Sequence, residues 1–409
     1  MRNRRLRHRG RLSHRIHWAA AGRVVAGIAV ALVVTFASTE VMLRLLRHHN
    51  HFFKALLYSP ADPIPYDGLD SVDALLSAAP FHPKPFHIWF GYKLNSHGFR
   101  TPEYTREKPA GIYRIVALGD SFASDSGGVP VDQLWHNLVG QRVHARTGRQ
   151  VEVINLGVPG VGPRFSLRLF DLEGRHLAPD LVLLSLFVGN DLTDERASSG
   201  LLAELERSSL AVRLATHVVT LIRSAREVRA ERRRQIAWYG STAGTAPGGY
   251  PVPGYVYDPE VAFVSRQEFL RIEWRRSRIF ATSLQGQVNK WIDDVVATVV
   301  ALDRAVRAAR ARLLVVIVPD VVQVDASVRR MVVEADSRRG HAYDFNWIQS
   351  AITTRLASAG VAYLDVLPAF QAAPASPRLY RRHETHWSAA GNALAARQIA
   401  AFLARRGIP

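Results

Sequence analysis

Five short runs constrain this chain more than anything else in it: "YRIVALGDS" (113–121), "VEVINLG" (151–157), "DLVLLSLFVGND" (180–191), "ARLLVVIVPD" (311–320) and "VAYLDV" (361–366). Each is dense in Val, Ile and Leu, and none alternates apolar with polar as a strand with one wet face must. They read as strands buried on both faces, the condition of a parallel sheet. Helical stretches separate them, such as "DQLWHNLVGQRVHARTG", "WIDDVVATVVALDRAVRAAR" and "NWIQSAITTRLASAG". Strand–helix alternation predicts a three-layer α/β domain on a parallel five-stranded sheet.

In an open parallel sheet, ligands bind beyond the carboxyl ends of the strands, so the polar residues there carry the chemistry. The first run ends in Gly119, Asp120 and Ser121, the second in Asn155 and Gly157, the third in Gly189, Asn190 and Asp191. A serine on a tight strand-to-helix turn presents its hydroxyl at the sheet edge and its own N–H at a helix N-terminus, where an oxyanion is favoured. Gly157 permits close backbone approach and a second N–H, and Asn190 a side-chain donor. Three such donors would stabilise a tetrahedral acyl intermediate. Taken singly, each tripeptide is a common turn; order and placement at successive strand ends give them force. Asp120 and Asp191 read as turn-fixing residues. No G-x-S-x-G elbow occurs, which disfavours an ordinary α/β-hydrolase.

With Ser121 in "GDSF", Gly157 in "NLGVPG", Asn190 in "GND" and His386 in "ETHW", the chain resembles the SGNH hydrolases, the GDSL-like esterases, over about residues 111–405. The resemblance implies a flavodoxin-like sheet, Ser121 as nucleophile and His386 as base. It also implies an oxyanion hole of the Ser121 N–H, the Gly157 N–H and the Asn190 amide. A base needs an orienting acid. Many members place an aspartate three residues before the histidine, where His383 stands here. A branch that includes bacterial polysaccharide O-acetylation proteins has Asp-x-His-Trp, and Glu384 occupies that position. The expected catalytic set is therefore Ser121, His386 and Glu384, with another acid in place of Glu384 as the open alternative.

The two histidines of "RRHETHWSAAGN" (381–392) invite a metal reading. A zincin needs a second histidine four residues on, where Trp387 stands. Ser388 reads as the N-cap of the following helix, which puts both histidines ahead of it. No metal and no cofactor is expected, and His383 reads as a polar rim residue.

Upstream of the domain, "VVAGIAVALVVTFASTEVML" (24–43) opens with sixteen uncharged residues and with either flank reaches the length that crosses a bilayer. Arg23 and Arg44 can snorkel to opposite interfaces, and Glu40 must sit near the outer boundary. Eight arginines precede it without an acid, which predicts a cytoplasmic N-terminus and a translocated body. An uncleaved signal anchor is preferred over a cleaved signal peptide, since Thr35 and Ala37 make a poor cleavage site. The net charge of +18 suggests nucleic acid, but no aromatic-plus-basic module accompanies it. A basic tail and arginine-rich solvated faces account for it, and no nucleic-acid partner is expected. The absence of cysteine excludes thiol catalysis and disulfides.

The expected organisation is a basic cytoplasmic tail (1–17), an anchor in the inner membrane (18–46), a Pro-rich connector (47–110) and the hydrolase-like domain (111–405). Within the domain, 193–284 reads as a helical and loop insertion with a solvated basic face. The expected function is a serine esterase or acyltransferase acting on an O-acyl group, such as acetyl, of an extracytoplasmic glycan or lipid-linked sugar. The alternative is an inactive scaffold of the same fold that binds envelope glycan or protein partners.

Overall fold

The computed structural model describes residues 24, 26–46, 69–79, 84–89, 91–124, 128–193, 249–252, 255–262, 264–336 and 340–409, with isolated positions between 205 and 218. The basic tail (1–17) lies outside the described residues, as do 18–23, 47–68, 194–204 and 219–248. The chain divides into two compact units, one of residues 1–63 with 196–233 and one of 64–195 with 234–409.

In the first unit, helix α1 (Ala26–Leu46) runs for 21 residues and is long and apolar enough to cross a membrane. At a rise of about 1.5 Å per residue it spans ~31 Å, close to a hydrocarbon core. Val30, Leu32, Val33 and Val34 on it are exposed. Glu40 interrupts the apolar run but is not left bare. Its carboxylate accepts the Ser209 hydroxyl at 2.9 Å and the N–H groups of Leu210 and Ala211, both at 3.1 Å. Arg44 Nε donates to it at 2.9 Å, and Leu43 packs on Leu210.

The second unit contains the five-stranded parallel sheet. Its strands are β3 (Tyr113–Leu118), β4 (Val151–Asn155), β5 (Leu181–Phe187), β7 (Arg312–Val318) and β8 (Tyr363–Asp365), in the order β4-β3-β5-β7-β8. All residues of β3 and β5 are buried, Arg114 and Ser185 among their otherwise apolar side chains included. The register pairs Ala117 with Asn155, Leu118 with Leu184, Phe187 with Val318 and Ile317 with Asp365. Helices cover the sheet in two packed sets: α4 (Trp135–Thr147) against α12 (Ala389–Arg405), and α5 (Pro163–Leu172) with α10 (Trp347–Ser358) against the long α7 (Gln285–Ala308). Chain order reverses at β3: the next strand pairs on one side of it and the third on the other. The gap between β3 and β5 is thus the topological switch point, where ligand crevices open.

The stretch read as a connector is not all outside this domain. Helix α2 (Val72–Ala78), capped by the Ser71 hydroxyl, packs on α5. Strands β1 (Ile88–Trp89) and β2 (Tyr92–Lys93) form a small antiparallel sheet with β6 (Tyr250–Pro251). Ion pairs then pin the lead-in to the sheet: Arg106 to Glu173 at 2.6 Å and Lys108 to Asp180 at 2.8 Å. Arg114, fully buried in β3, pairs with Glu152 at 2.7 Å. The stretch read as an insertion is likewise divided. β6 closes the small sheet, and α6 (Arg266–Ser277) packs on α9 (Ala326–Asp336), so these parts belong to the domain.

Candidate active site

Ser121 stands at the first position of a one-turn helix, α3 (Ser121–Ser124), directly after β3. The chain reaches it through Gly119, whose φ of +135° and lack of a side chain are both required: a Cβ there would lie 2.0 Å from Ser185 Oγ. Asp120, fully buried, accepts the Phe122 N–H at 2.9 Å and lies 3.4 Å from the Ser121 hydroxyl. Burial pushes its carboxyl up, against the Phe122 N–H and the nearby His386 and Arg276. The turn's carbonyls are held by side chains from elsewhere in the fold. Trp135 Nε1 donates to Phe122 O at 2.9 Å, and Asn155 Nδ2 donates to Ala123 O at 2.9 Å. His136 Nε2 reaches the same Ala123 oxygen at 3.1 Å. Trp135 and His136 were not singled out from the sequence, whereas Asn155 was, as a polar residue at the predicted end of β4.

His386 comes from the loop before α12. Ser388 caps that helix through the N–H groups of Ala390 and Gly391, as its position predicts. His386 Nδ1 lies 2.6 Å from Glu384 Oε1, and its backbone N–H donates to Glu384 Oε2 at 3.0 Å. With the Nδ1 proton given to a carboxylate, the basic lone pair of the neutral ring is on Nε2. Burial raises the Glu384 carboxyl, but the His386 charge and both hydrogen bonds outweigh it and hold the group below the usual carboxylate range. The imidazole packs 5.1 Å from the Phe122 ring, against the residue after Ser121. Trp387 wedges between Phe122 and Phe370, at 5.2 and 5.0 Å, and fixes the loop against the Ser121 turn. The structure thus brings Ser121, His386 and Glu384 to one edge of the sheet.

Gly157 meets the demand for close approach. A Cβ on it would lie 2.5 Å from both Ala123 Cβ and Ser124 N. Its N–H donates to Asn155 Oδ1 at 2.9 Å, a bond with which the oxyanion role expected for it would compete. Asn190 lies in the turn after β5, where its carbonyl accepts the Thr193 N–H at 2.7 Å. Asp191 closes the turn by accepting the Phe187 N–H at 2.8 Å, the structural part read for it. His383 adopts φ +49° and stacks on Phe269 at 6.0 Å, beside a groove of about 1060 Å³ that Arg266, Arg378 and Arg381 also line. Among the described residues no group of three or more His, Asp or Glu side chains could hold a metal ion.

A second acidic cluster adjoins this site and was not foreseen. Glu273 of α6 and Asp320, just past β7, are fully buried beside Arg276 and Thr385. Asp320 could have been found by the strand-end rule that found Ser121. Glu273 could not, since it sits in a run of arginines with no spacing signal.

Residues 281–409 match the family described as SGNH hydrolase-like domain, acetyltransferase AlgX. No curated protein matches the chain. Among solved structures the chain is similar to a mutant of Axe2, an acetyl-xylooligosaccharide esterase from Geobacillus stearothermophilus, with 13% identity over 75% of this chain and 98% of that one and a TM-score of 0.36. It is also similar to the acetyl xylan esterase AlAXEase, at 12% identity over 71% and 99% with a TM-score of 0.37. A lipase/acylhydrolase from Enterococcus faecalis follows at 13% identity over 72% and 96%, with a TM-score of 0.33.

Proposed function

From the similarity of residues 281–409 to an SGNH hydrolase-like domain, we propose that the chain is a serine esterase or acyltransferase. The observation that carries this reading is the 2.6 Å contact between Glu384 and His386 Nδ1, with the imidazole packed against the turn that bears Ser121. Ser121 Oγ leaves Asp120, turns to His386 Nε2 and attacks the acyl carbon as its proton passes to the ring. Glu384 balances the imidazolium. The N–H groups of Ser121 and Gly157 and the Asn190 amide receive the oxyanion. The ester C–O bond breaks, the leaving alcohol takes the proton from His386, and the acyl group rests on Ser121 Oγ. Water then gives hydrolysis, or a second hydroxyl gives transfer. The family description supports acetyl as the acyl group. The apolar helix α1 supports a membrane anchor and the arginines ahead of it a cytoplasmic N-terminus with the domain outside, where the substrate of this reading is an acylated glycan or lipid-linked sugar.

The test compares wild type with Ser121→Ala on nitrophenyl acetate and acetylated xylan. Loss of turnover in the variant is expected, and equal turnover by both proteins refutes the serine mechanism. One observation favours a second reading, an inactive scaffold that binds envelope partners: the Gly157 N–H is already engaged by Asn155. Fluorophosphonate labelling that disappears in Ser121→Ala excludes it.

A further inference from the structure

Outside the Ser121–His386–Glu384 set, Glu273 and Asp320 confront each other with one guanidinium between them. Asp320 Oδ1 caps α8 (Val321–Val324) by accepting the Val322 N–H at 3.0 Å. Glu273 Oε1 accepts the Thr385 hydroxyl at 2.7 Å and Arg276 Nη1 at 3.1 Å. Glu273 Oε2 and Asp320 Oδ2 remain, both buried and neither with a hydrogen-bond donor among the described residues. Arg276 Nη1 lies 3.7 Å from Asp320 Oδ2 and cannot serve both carboxylates fully. Two ionised carboxylates in so dry a place are costly, whereas a carboxyl hydrogen-bonded to a carboxylate satisfies both remaining oxygens with a single proton.

The cluster meets three parts of the proposed site. Thr385, which Glu273 holds, lies between Glu384 and His386, and its hydroxyl oxygen also accepts from Arg276 Nη1 at 2.7 Å. Arg276 lies over the Phe187 ring at 5.4 Å, at the end of β5. Gly189, beside Asn190, is packed so tightly that a Cβ would lie 2.5 Å from Asp320 Oδ2 and 2.6 Å from Arg276 Cδ.

We propose that Glu273 and Asp320 share one proton and that this pair, acting through Thr385 and Arg276, is the positioning element that registers the Glu384–His386 loop against the Asn190 turn. The functional half of this inference rests on the esterase reading. Burial and the Asp320 charge favour the protonated form of Glu273, its carboxyl pushed up to about 8, while Arg276 and Thr385 act against them. The groups facing it are Arg276 on its own helix, Asp320 past β7, and Thr385 and Tyr380 on the loop. Asp120 past β3 shares the field of Arg276. From α9, packed on the same helix, comes Asp336, which is satisfied by His341, Tyr343 and Trp274.

The experiment uses the full chain in detergent with Glu273→Ala and Glu273→Gln. A displacement of about 1 Å at a reacting group costs on the order of 100-fold, so Glu273→Ala is expected to lower kcat on nitrophenyl acetate by roughly 10- to 100-fold with KM little changed. Glu273→Gln, whose amide can donate as the carboxyl did, is expected to recover most of that loss. Wild type is expected to lose activity on an alkaline limb near pH 8 that Glu273→Gln lacks. Equal damage by both variants, or the same alkaline limb in wild type and Glu273→Gln, overturns the positioning role. The infrared carbonyl band of a protonated carboxyl, present at neutral pH and absent in Glu273→Gln, reads the shared proton without turnover. A wild type that shows the band but no esterase activity refutes the esterase reading and leaves the pair standing; no band at neutral pH refutes the pair itself.

Discussion

Replacing Glu384 by glutamine exchanges one carboxylate oxygen for an NH2 group and leaves the shape of the side chain almost unchanged. In the native arrangement one oxygen takes the His386 Nδ1 proton at 2.6 Å and the other the His386 backbone N–H at 3.0 Å. An amide has only one acceptor for these two donors. If its oxygen stays on the backbone N–H, its NH2 faces Nδ1 and favours the ring tautomer protonated on Nε2, which cannot accept a proton from Ser121. If it turns over, two N–H groups meet. Either way the imidazolium formed during attack also loses its counter-charge. At 2.6 Å and an effective dielectric constant of ~20, that attraction is about 6 kcal/mol before reorganisation. A loss of roughly 10³- to 10⁴-fold in kcat, or ~4–5.5 kcal/mol, is therefore expected, with KM within about twofold. Initial rates on nitrophenyl acetate and the rate of fluorophosphonate labelling measure it. A loss below about tenfold would show that another acid orients His386, while the serine mechanism survives. The same variant has a stability signature. Because the folded state depresses the Glu384 carboxyl below its ordinary 4.5, its contribution is present above that pH and is lost as pH falls through the depressed value. Wild type should lose thermal stability more steeply than Glu384→Gln below pH 4.5.

Gly157→Ala would push a methyl to 2.5 Å from Ala123 Cβ and Ser124 N, so the Ser121 turn must move. A kcat loss on the order of 100-fold and a destabilisation of about 1–3 kcal/mol are expected, and a wild-type kcat in the folded variant contradicts the placement of Ser121. His136 is buried neutral against Ala123 O, and burial depresses its pKa from 6.5 to about 4. Between these values the unfolded chain gains a proton that the native state refuses, so stability falls with falling pH, by about 3 kcal/mol across the window. Denaturant unfolding from pH 7 to pH 4 should show this slope in wild type and a flatter one in His136→Gln; equal slopes refute it.

The sheet was legible because burial on both faces makes the inner strands β3, β5 and β7 rich in Val, Ile and Leu, and the predicted runs also contain the half-buried edge strands β4 and β8. Ser121 and Asn190 were legible for a related reason: a polar residue just past such a run has nowhere to point except the carboxyl edge. The ties that hold residues 95–110 to the domain left no periodic trace. Arg106 meets Glu173 67 positions later and Lys108 meets Asp180 72 positions later, and either partner alone reads as an ordinary surface charge. The direction of the Gly157 N–H was hidden too, since it depends on Asn155 folding back over two residues to accept it.

The glutamate that departs from the Asp-x-His-Trp pattern shows how geometry absorbs such a change. Its extra methylene lets the side chain curl over its own segment, so that Oε2 is fixed by the backbone N–H two residues on and Oε1 is left aimed at Nδ1. Such a bite works only if the loop keeps its course through Thr385, the residue between acid and base. That course is held by Glu273 and Arg276, from a helix in the stretch read as an insertion. The long interval between β5 and β7 therefore contributes to the site through α6, and a deletion that closed the interval directly would leave Glu384 and His386 in the sequence but without the contacts that keep them in register.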